Sequence, residues 1–414
     1  MTFTKKYDNG LRLVVRKIDG LMSVSTGILV NIGSRNESKE ENGISHFIEH
    51  VTFKGTSKRS AFEISDHIDC LGAQINAFTS KEITCYYTKS TAEHVEECSE
   101  ILSDIFFNSV YDEKELEKEK GVVIEEINMS EDSPEDLCLD LIAESYFGND
   151  GLGQTILGPE ENIRRFTRDD VIAYMKKYYT SDNVVISFAG NIDFSSAEKI
   201  VEKYFLPNFK GRDSAPQKVQ GETFNKSLIK KKQIEQAHIA ICFPCFKSLD
   251  KRTDALNIAN AIIGGGMSSR LFQKIREELG LCYSIYSYPS LYKDCGVMEI
   301  YAGVNSALRD EAFNEIINVL KTVKEKGVTE KEFARGKEQI KSSLIMGQES
   351  TASQMLLYGK YLMYSGKKFD FEEKIRRIDA LTLKDVNDVI KEVFDFDKMA
   401  VASVGTSDKV IKKQ

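Results

Sequence analysis

The segment His46-Phe47-Ile48-Glu49-His50 places two imidazoles and a carboxylate within five consecutive residues. In a helix, positions i, i+3 and i+4 share a face, so His46, Glu49 and His50 point the same way, with Phe53 below them. Imidazoles at i and i+4 can both reach one Zn2+ at about 2.0–2.1 Å. Glu49 is close to such a metal without having to bind it, which suits a general base acting on a water at the metal. His46 and His50 are therefore candidate ligands, and Glu49 the candidate base of a hydrolytic site.

A catalytic zinc needs a third protein ligand and one open position. The remaining histidines, His67, His94 and His238, have no comparable setting. The run 115–127 (ELEKEKGVVIEEI) offers better candidates. Its apolar middle, 121–124, is expected to be buried. Glu125 and Glu126 directly after it then need a reason to be there, because an unpaired buried carboxylate is costly. Glu119 and Glu126 are seven apart, two helical turns, hence on one face. Spacing alone leaves both Glu125 and Glu126 open as the ligand.

These residues must be held by regular elements. Ile44, Ile48 and Val51 make an apolar stripe on a helix over 42–53. Strands are expected at 11–15, 22–31, 73–78, 83–87 and 184–190, and helices at 61–71, 93–107, 113–129, 135–147, 168–179 and 194–205. The stretch 206–224 holds two prolines, two glycines and many polar residues and reads as a linker. It divides the chain into domains 1–210 and 225–414.

The halves look related. Residues 27–30 match 240–243 in type, and NVVISFAGNID at 183–193 resembles KMAVASVGTSD at 398–408. A shift of roughly 211 lays His46, Glu49 and His50 over Asn257, Asn260 and Ala261, so the second copy keeps the helix and lacks the ligands. Strands and helices mix without a strict βαβ rhythm. We therefore expect an α+β fold of two homologous domains, each a mostly antiparallel sheet with helices on one face.

The bulk numbers narrow the class. A chain of 414 residues has room for two or three domains. Its net charge of −8 argues against a nucleic-acid partner. No run of about 18 apolar residues is present, so no membrane partner is expected. The N-terminus has no apolar export signal. The eight cysteines are scattered and read as reduced thiols of a cytoplasmic protein. Cys242-Phe243-Pro244-Cys245 falls in a strand-like stretch and reads as core packing. Gly264-Gly265-Gly266 precedes no GK[ST] and reads as a bend rather than a phosphate loop.

HxxEH is the inverzincin pattern, and the chain resembles the pitrilysin/insulinase family of metallopeptidases, in particular its short bacterial branch related to the mitochondrial processing peptidase. The resemblance covers nearly the whole chain and rests on GISHFIEHVTFKGT (43–56), NAFTSKEITCYY (76–87), EKEKGVVIEEI (117–127), ILGPEENIRRF (156–166) and SSRLFQKIREELGLCYSIYS (268–287). It implies one Zn2+ per chain, with Glu126 as third ligand and Glu119 as its supporting acid. It implies a strand beginning at Asn76, with Ala77 and Phe78, along which an extended peptide lies. It implies that Arg276 and Tyr283 bind substrate backbone and stabilise the tetrahedral intermediate. Asp136 and Asp140 share a helix face; the plain reading is a solvated surface, and the resemblance adds a pocket for a substrate arginine. Residues 149–153 (NDGLG) depart from the commoner family form, which has a His and a Pro before Leu-Gly.

The expected activity is a zinc-dependent endopeptidase acting on peptides or unfolded polypeptides inside a closed dimer chamber. The expected partner is a second copy, whose Arg276 and Tyr283 complete the zinc site. The alternatives are a catalytic subunit paired with a degenerate homologue and a non-catalytic peptide-binding or scaffold relative.

Overall fold

The computed structural model describes residues 1–148, 151–209, 223 and 226–411. Most of the expected linker, and Asn149 and Asp150, lie outside the described residues. The first half runs β1 (Thr2–Lys6), β2 (Arg12–Lys17), β3 (Ser23–Val30), α1 (Ile44–Thr52), α2 (Ala61–Cys70), β4 (Gln74–Thr79) and β5 (Thr84–Thr91). It continues with α3 (Val95–Asn108), α4 (Glu113–Asp132), α5 (Pro134–Phe147), α6 (Glu160–Arg165), α7 (Arg168–Tyr178), β6 (Val184–Gly190) and α8 (Phe194–Ile200). The second half runs β7 (Ser227–Lys231), β8 (Gln236–Cys245), α9 (Thr253–Ile263), β9 (Cys282–Leu291), β10 (Gly296–Asn305) and α10 (Arg309–Lys326). It closes with α11 (Glu330–Met346), α12 (Thr351–Ser365), α13 (Phe371–Ala380), α14 (Leu383–Val393) and β11 (Ala400–Gly405).

Local chemistry sets several of these boundaries. Ser60 with Glu63, Thr167 with Asp170, and Thr382 with Asp385 form capping boxes that start α2, α7 and α14. The helix expected over 194–205 is regular only to Ile200 and then widens into a π turn at Val201–Phe205. Strand β1 and helix α6 had no clear signal: β1 is short and largely polar, and α6 has six residues. Among the described residues, no helix is long and apolar enough to cross a membrane.

The described residues divide into two compact units. The first draws on Met1–Ile127, Thr155–Val219 and Met346–Phe369, the second on Asn128–Gln154, Gln220–Ile345 and Asp370–Gln414. The units are thus interleaved along the chain rather than separated by a single cut.

The class is α+β with a mixed sheet in each unit. The first sheet has the order β1-β2-β6-β3-β5-β4, the second β7-β11-β8-β10-β9. Strand β2 pairs with β6 in parallel, as β7 does with β11; the remaining ladders are antiparallel. Apart from β1, the two sheets have one topology. Registers of the central ladder agree as well. Ser25 stands opposite Ala189 in the first sheet, and His238, 213 residues further on, stands opposite Val404 in the second.

In the first unit, Val24, Ile28 and Val30 of β3 join the main core with Phe47, Ile48 and Val51 of α1 and Ile101 and Leu102 of α3. The alternate residues face α12. Ser25 Oγ lies 2.9 Å from Thr351 Oγ1, Ser187 Oγ donates to Met355 O at 2.7 Å, and a Cβ on Gly27 would sit 2.2 Å from Met355 Sδ. Small residues on that face admit the helix. In the second unit, Ala240, Cys242, Ala400 and Ala402 do the same for α5, which packs on them through Cys138 and Ile142. Each sheet therefore carries most of its helices on one face and a single helix on the other.

One ion pair makes the second unit sensitive to acid. Arg270 donates to both oxygens of Glu332 at 2.7 and 2.8 Å, and Thr329 N adds a bond at 2.8 Å. The Arg270 bonds, ahead of opposing burial, hold the Glu332 carboxyl down at about 2, below its ordinary value of 4.5. A depressed carboxyl stabilises the fold above its unfolded pKa and loses that contribution as pH falls through the folded one. We expect Glu332→Gln to lower stability by ~1–3 kcal/mol at pH 7, with the gap from wild type closing between about pH 5 and pH 2, as read by urea unfolding.

Candidate metal centre

Helix α1 begins after Gly43, whose φ of 99° is a left-handed conformation that glycine adopts without strain. Its apolar stripe of Ile44, Phe47, Ile48 and Val51 is fully or almost fully buried. That burial fixes the rotation of the helix and sends His46, Glu49 and His50 out on the opposite side. The buried Glu37 carboxylate caps the helix start, accepting from Gly43 N and Ser45 N at 2.9 Å each and from Asn42 Nδ2 at 3.1 Å. A negative charge there also complements the helix dipole.

Helix α4 supplies the acids. Leu116, Glu119, Lys120, Val123 and Ile124 form its buried face. The expectation of a fully buried 121–124 is corrected: Gly121 is exposed and Val122 is 52% exposed, because they occupy the outer side of the same turn. This rotation also sets the two candidate acids apart. Glu125 is exposed, while Glu126 faces the imidazoles.

His46 Nε2 and His50 Nε2 are 3.3 Å apart, and Glu126 Oε2 lies 3.5 Å from the first and 3.3 Å from the second. Two ligands each about 2.0–2.1 Å from a tetrahedral ion are themselves about 3.3–3.4 Å apart. The three atoms thus already hold the spacing of a His-His-carboxylate zinc site. Among the described residues this is the group of side chains that could hold a metal ion. Burial first, and then the neighbouring His50, push His46 down to about 4, so it is neutral with a lone pair available.

The donor set has a second layer. His50 Nδ1 lies 3.0 Å from Glu119 Oε1, and Lys54 Nζ lies 2.6 Å from Glu119 Oε2. Burial would raise Glu119, but the bonds from His50 and Lys54 outweigh it and hold the carboxyl low. A carboxylate on Nδ1 fixes the tautomer in which Nε2 faces the ligand position. Burial would likewise lower His50, and its Glu119 bond with the nearby Glu126 charge reverses this.

Glu49 is half-buried beside the cluster and accepts from Thr79 Oγ1 at 2.6 Å. Burial raises its pKa, tempered by the Thr79 bond. Thr79 ends β4, the terminal strand of the first sheet. On β4, Asn76 is exposed with Oδ1 accepting from Ala77 N at 2.8 Å, Ala77 is buried, and Phe78 packs edge-on to Tyr87.

The other expected residues lie in the second unit. Arg276 sits in a π turn (Phe272–Glu278) and Tyr283 at the start of β9. The structure brings this pair together, with the guanidinium carbon 5.2 Å from the Tyr283 ring centre and 4.6 Å from that of Phe272. Tyr283 is 77% exposed. Asp136 is exposed and Asp140 half-buried on α5. Sequence reasoning missed Lys54, Thr79 and Glu37. Lys54 lies two residues beyond the end of α1, where helical spacing no longer applies, so no periodic signal marked it.

Comparison with known proteins agrees with this geometry. Residues 13–160 match the family model described as insulinase (peptidase family M16), and residues 165–340 match the one described as the peptidase M16 inactive domain. The uncharacterized zinc protease YmxG of Bacillus subtilis is 44% identical over 95% of this chain and 96% of its own. An uncharacterized zinc protease of Rickettsia felis is 35% identical over 94% of each chain. The structure of a protease from Helicobacter pylori superposes with a TM-score of 0.89 at 22% identity, covering 98% of this chain and 99% of that one, and so shares the fold. A two-unit α+β fold with two histidines and a glutamate converging in its first unit is that of a zinc-protease family. The chain belongs to peptidase family M16, the pitrilysin/insulinase type.

If Glu126 is the third ligand, Glu126→Gln should lose tight zinc binding while Glu125→Gln retains it. Glu119→Gln should weaken zinc by about 10–100-fold without abolishing it. Chelator competition on the purified variants reads all three, and equal affinities for Glu125→Gln and Glu126→Gln would refute the assignment.

Proposed function

We propose that this chain is a zinc metalloendopeptidase that cleaves peptides or unfolded polypeptides, with His46, His50 and Glu126 holding one Zn2+. The observation that carries the reading is the convergence of those three donor atoms at zinc-site spacing with a half-buried carboxylate, Glu49, alongside. Zinc bound there would polarise the scissile carbonyl and acidify a water. Glu49 takes the water's proton on its free Oε1 and returns it to the departing amine. Glu119 keeps the His50 ring in its ligand tautomer. The open edge of β4 at Asn76, Ala77 and Phe78 suits main-chain pairing with an extended peptide. Arg276 and Tyr283 carry donors suited to a developing oxyanion.

Glu49→Gln should keep zinc and lose peptide cleavage by at least 10²–10⁴-fold, as read by metal analysis and turnover of a peptide library. Zinc-free wild-type protein without cleavage would sink the reading.

The same proposal places Arg276 and Tyr283 of one subunit beside the zinc of another, in a homodimer. Mixing Arg276→Ala subunits with Glu49→Gln subunits should then recover a fraction of wild-type activity. No recovery would count against a site shared between copies.

A further inference from the structure

Glu49 has two carboxylate oxygens, and the structure treats them differently. Oε2 receives the Thr79 hydroxyl at 2.6 Å. Thr79 is itself held by the turn that follows β4. Ser34 N and Arg35 N donate to Ser80 O at 3.2 Å and Lys81 O at 2.9 Å. Arg35 Nη1 donates to the buried Glu82 at 2.7 Å, and Tyr364 OH donates to the other Glu82 oxygen at 2.8 Å. Gly33 makes this approach possible, since a Cβ there would lie 2.2 Å from Ser80 O. The end of β4 is thus anchored by the turn, and the Thr79 hydroxyl, which also lies 3.5 Å from Ser45 O of α1, reaches Glu49 Oε2 at the much shorter distance of 2.6 Å.

The duplicated unit offers an internal comparison. The corresponding terminal strand of the second sheet, β9, also presents a hydroxyl to its facing helix, that of Ser287. Its Oγ donates at 2.7 Å to Oδ1 of Asn260, which lies 211 residues after Glu49. Strand hydroxyl and helix acceptor recur where no metal ligands are present. In the second unit the acceptor is an amide that can only be tethered. In the first it is a carboxylate, so the same tether fixes one oxygen and leaves the other for proton transfer.

We propose that Thr79 is a positioning residue for the base, its hydroxyl binding Glu49 Oε2 so that Oε1 faces the reacting water. This rests on the peptidase reading above. Removing the hydroxyl leaves a half-buried carboxylate oxygen without its donor, and the side chain turns to find another. The bond acts on the base and not on the three ligands, so turnover should fall while zinc binding does not.

The test compares zinc-loaded wild type, Thr79→Val, which keeps the side-chain shape, and Thr79→Ser, which keeps the hydroxyl. We expect Thr79→Val to lose about tenfold or more in kcat, with KM within threefold. Its zinc affinity by chelator competition and its melting temperature should stay near wild type. Thr79→Ser should recover most of the lost kcat. Crystal structures give a readout independent of turnover: Glu49 in one rotamer in wild type and Thr79→Ser, and in more than one in Thr79→Val. Full kcat in Thr79→Val, or equal losses in Val and Ser, would overturn the inference. If wild type cleaves no peptide, the peptidase reading fails, and an unchanged Glu49 rotamer in Thr79→Val would separately overturn the role of Thr79.

Discussion

The candidate metal centre depends on one arrangement, two imidazole nitrogens and a carboxylate oxygen brought to within 3.3–3.5 Å of one another. Each of the three is fixed from behind. The buried stripe of α1 sets both histidines, Glu119 holds the far nitrogen of His50, and the buried face of α4 directs Glu126. A site of this kind is pre-organised, in that a cation entering it would not have to gather its ligands. The support is also economical. Glu119 and Glu126 share a helix face two turns apart, so one rotation of α4 places Glu126 beside the imidazoles and Glu119 behind His50.

How much was legible in the sequence follows from which contacts are local. His46, Glu49 and His50 share a face because of helix geometry, and any reader of the spacing finds them. The choice between Glu125 and Glu126 is not local, because it turns on the rotation of α4. That rotation appears only when Val123 is found fully buried and Val122 half out. Thr79 and Glu37 were invisible for a different reason. Each is an ordinary polar residue whose meaning lies in what a distant segment presents to it, Glu49 in one case and the start of α1 in the other. The interleaving of the units was likewise hidden. Nothing in the pattern of α5 or α12 says which sheet it will cover, although Ser25, Gly27 and Ser187 leave room for a helix on the first, and Ala240, Ala400 and Ala402 on the second.

The shared topology gives the asymmetry of the two units its meaning. Both build a helix after the second strand of the common order's antiparallel part and face it with a terminal strand, β4 or β9. The metal site needs the rest of its residues on that same frame: two histidines on the helix, and a second helix rotated to bring in an acid. The second unit has Asn257, Asn260 and Ala261 at the matching positions. An amide and a methyl cannot supply the lone pairs and charge that zinc takes from imidazole and carboxylate. The frame is therefore not specific to metal, and the ligands are an addition to it.

The strand-to-helix hydroxyl bond belongs to the frame. It occurs as Thr79–Glu49 and as Ser287–Asn260, between terminal strand and facing helix in both units, so it does not depend on a metal or a reacting base. That ordering has a physical consequence. A contact that already ties the terminal strand to the helix fixes the distance between any peptide paired on β4 and any side chain at position 49. Where that acceptor is a carboxylate, as at Glu49, its orientation relative to the strand is set by the fold itself. The proposed peptidase mechanism therefore needs no separate positioning loop, because the tether that closes the sheet edge onto the helix would also aim the carboxylate.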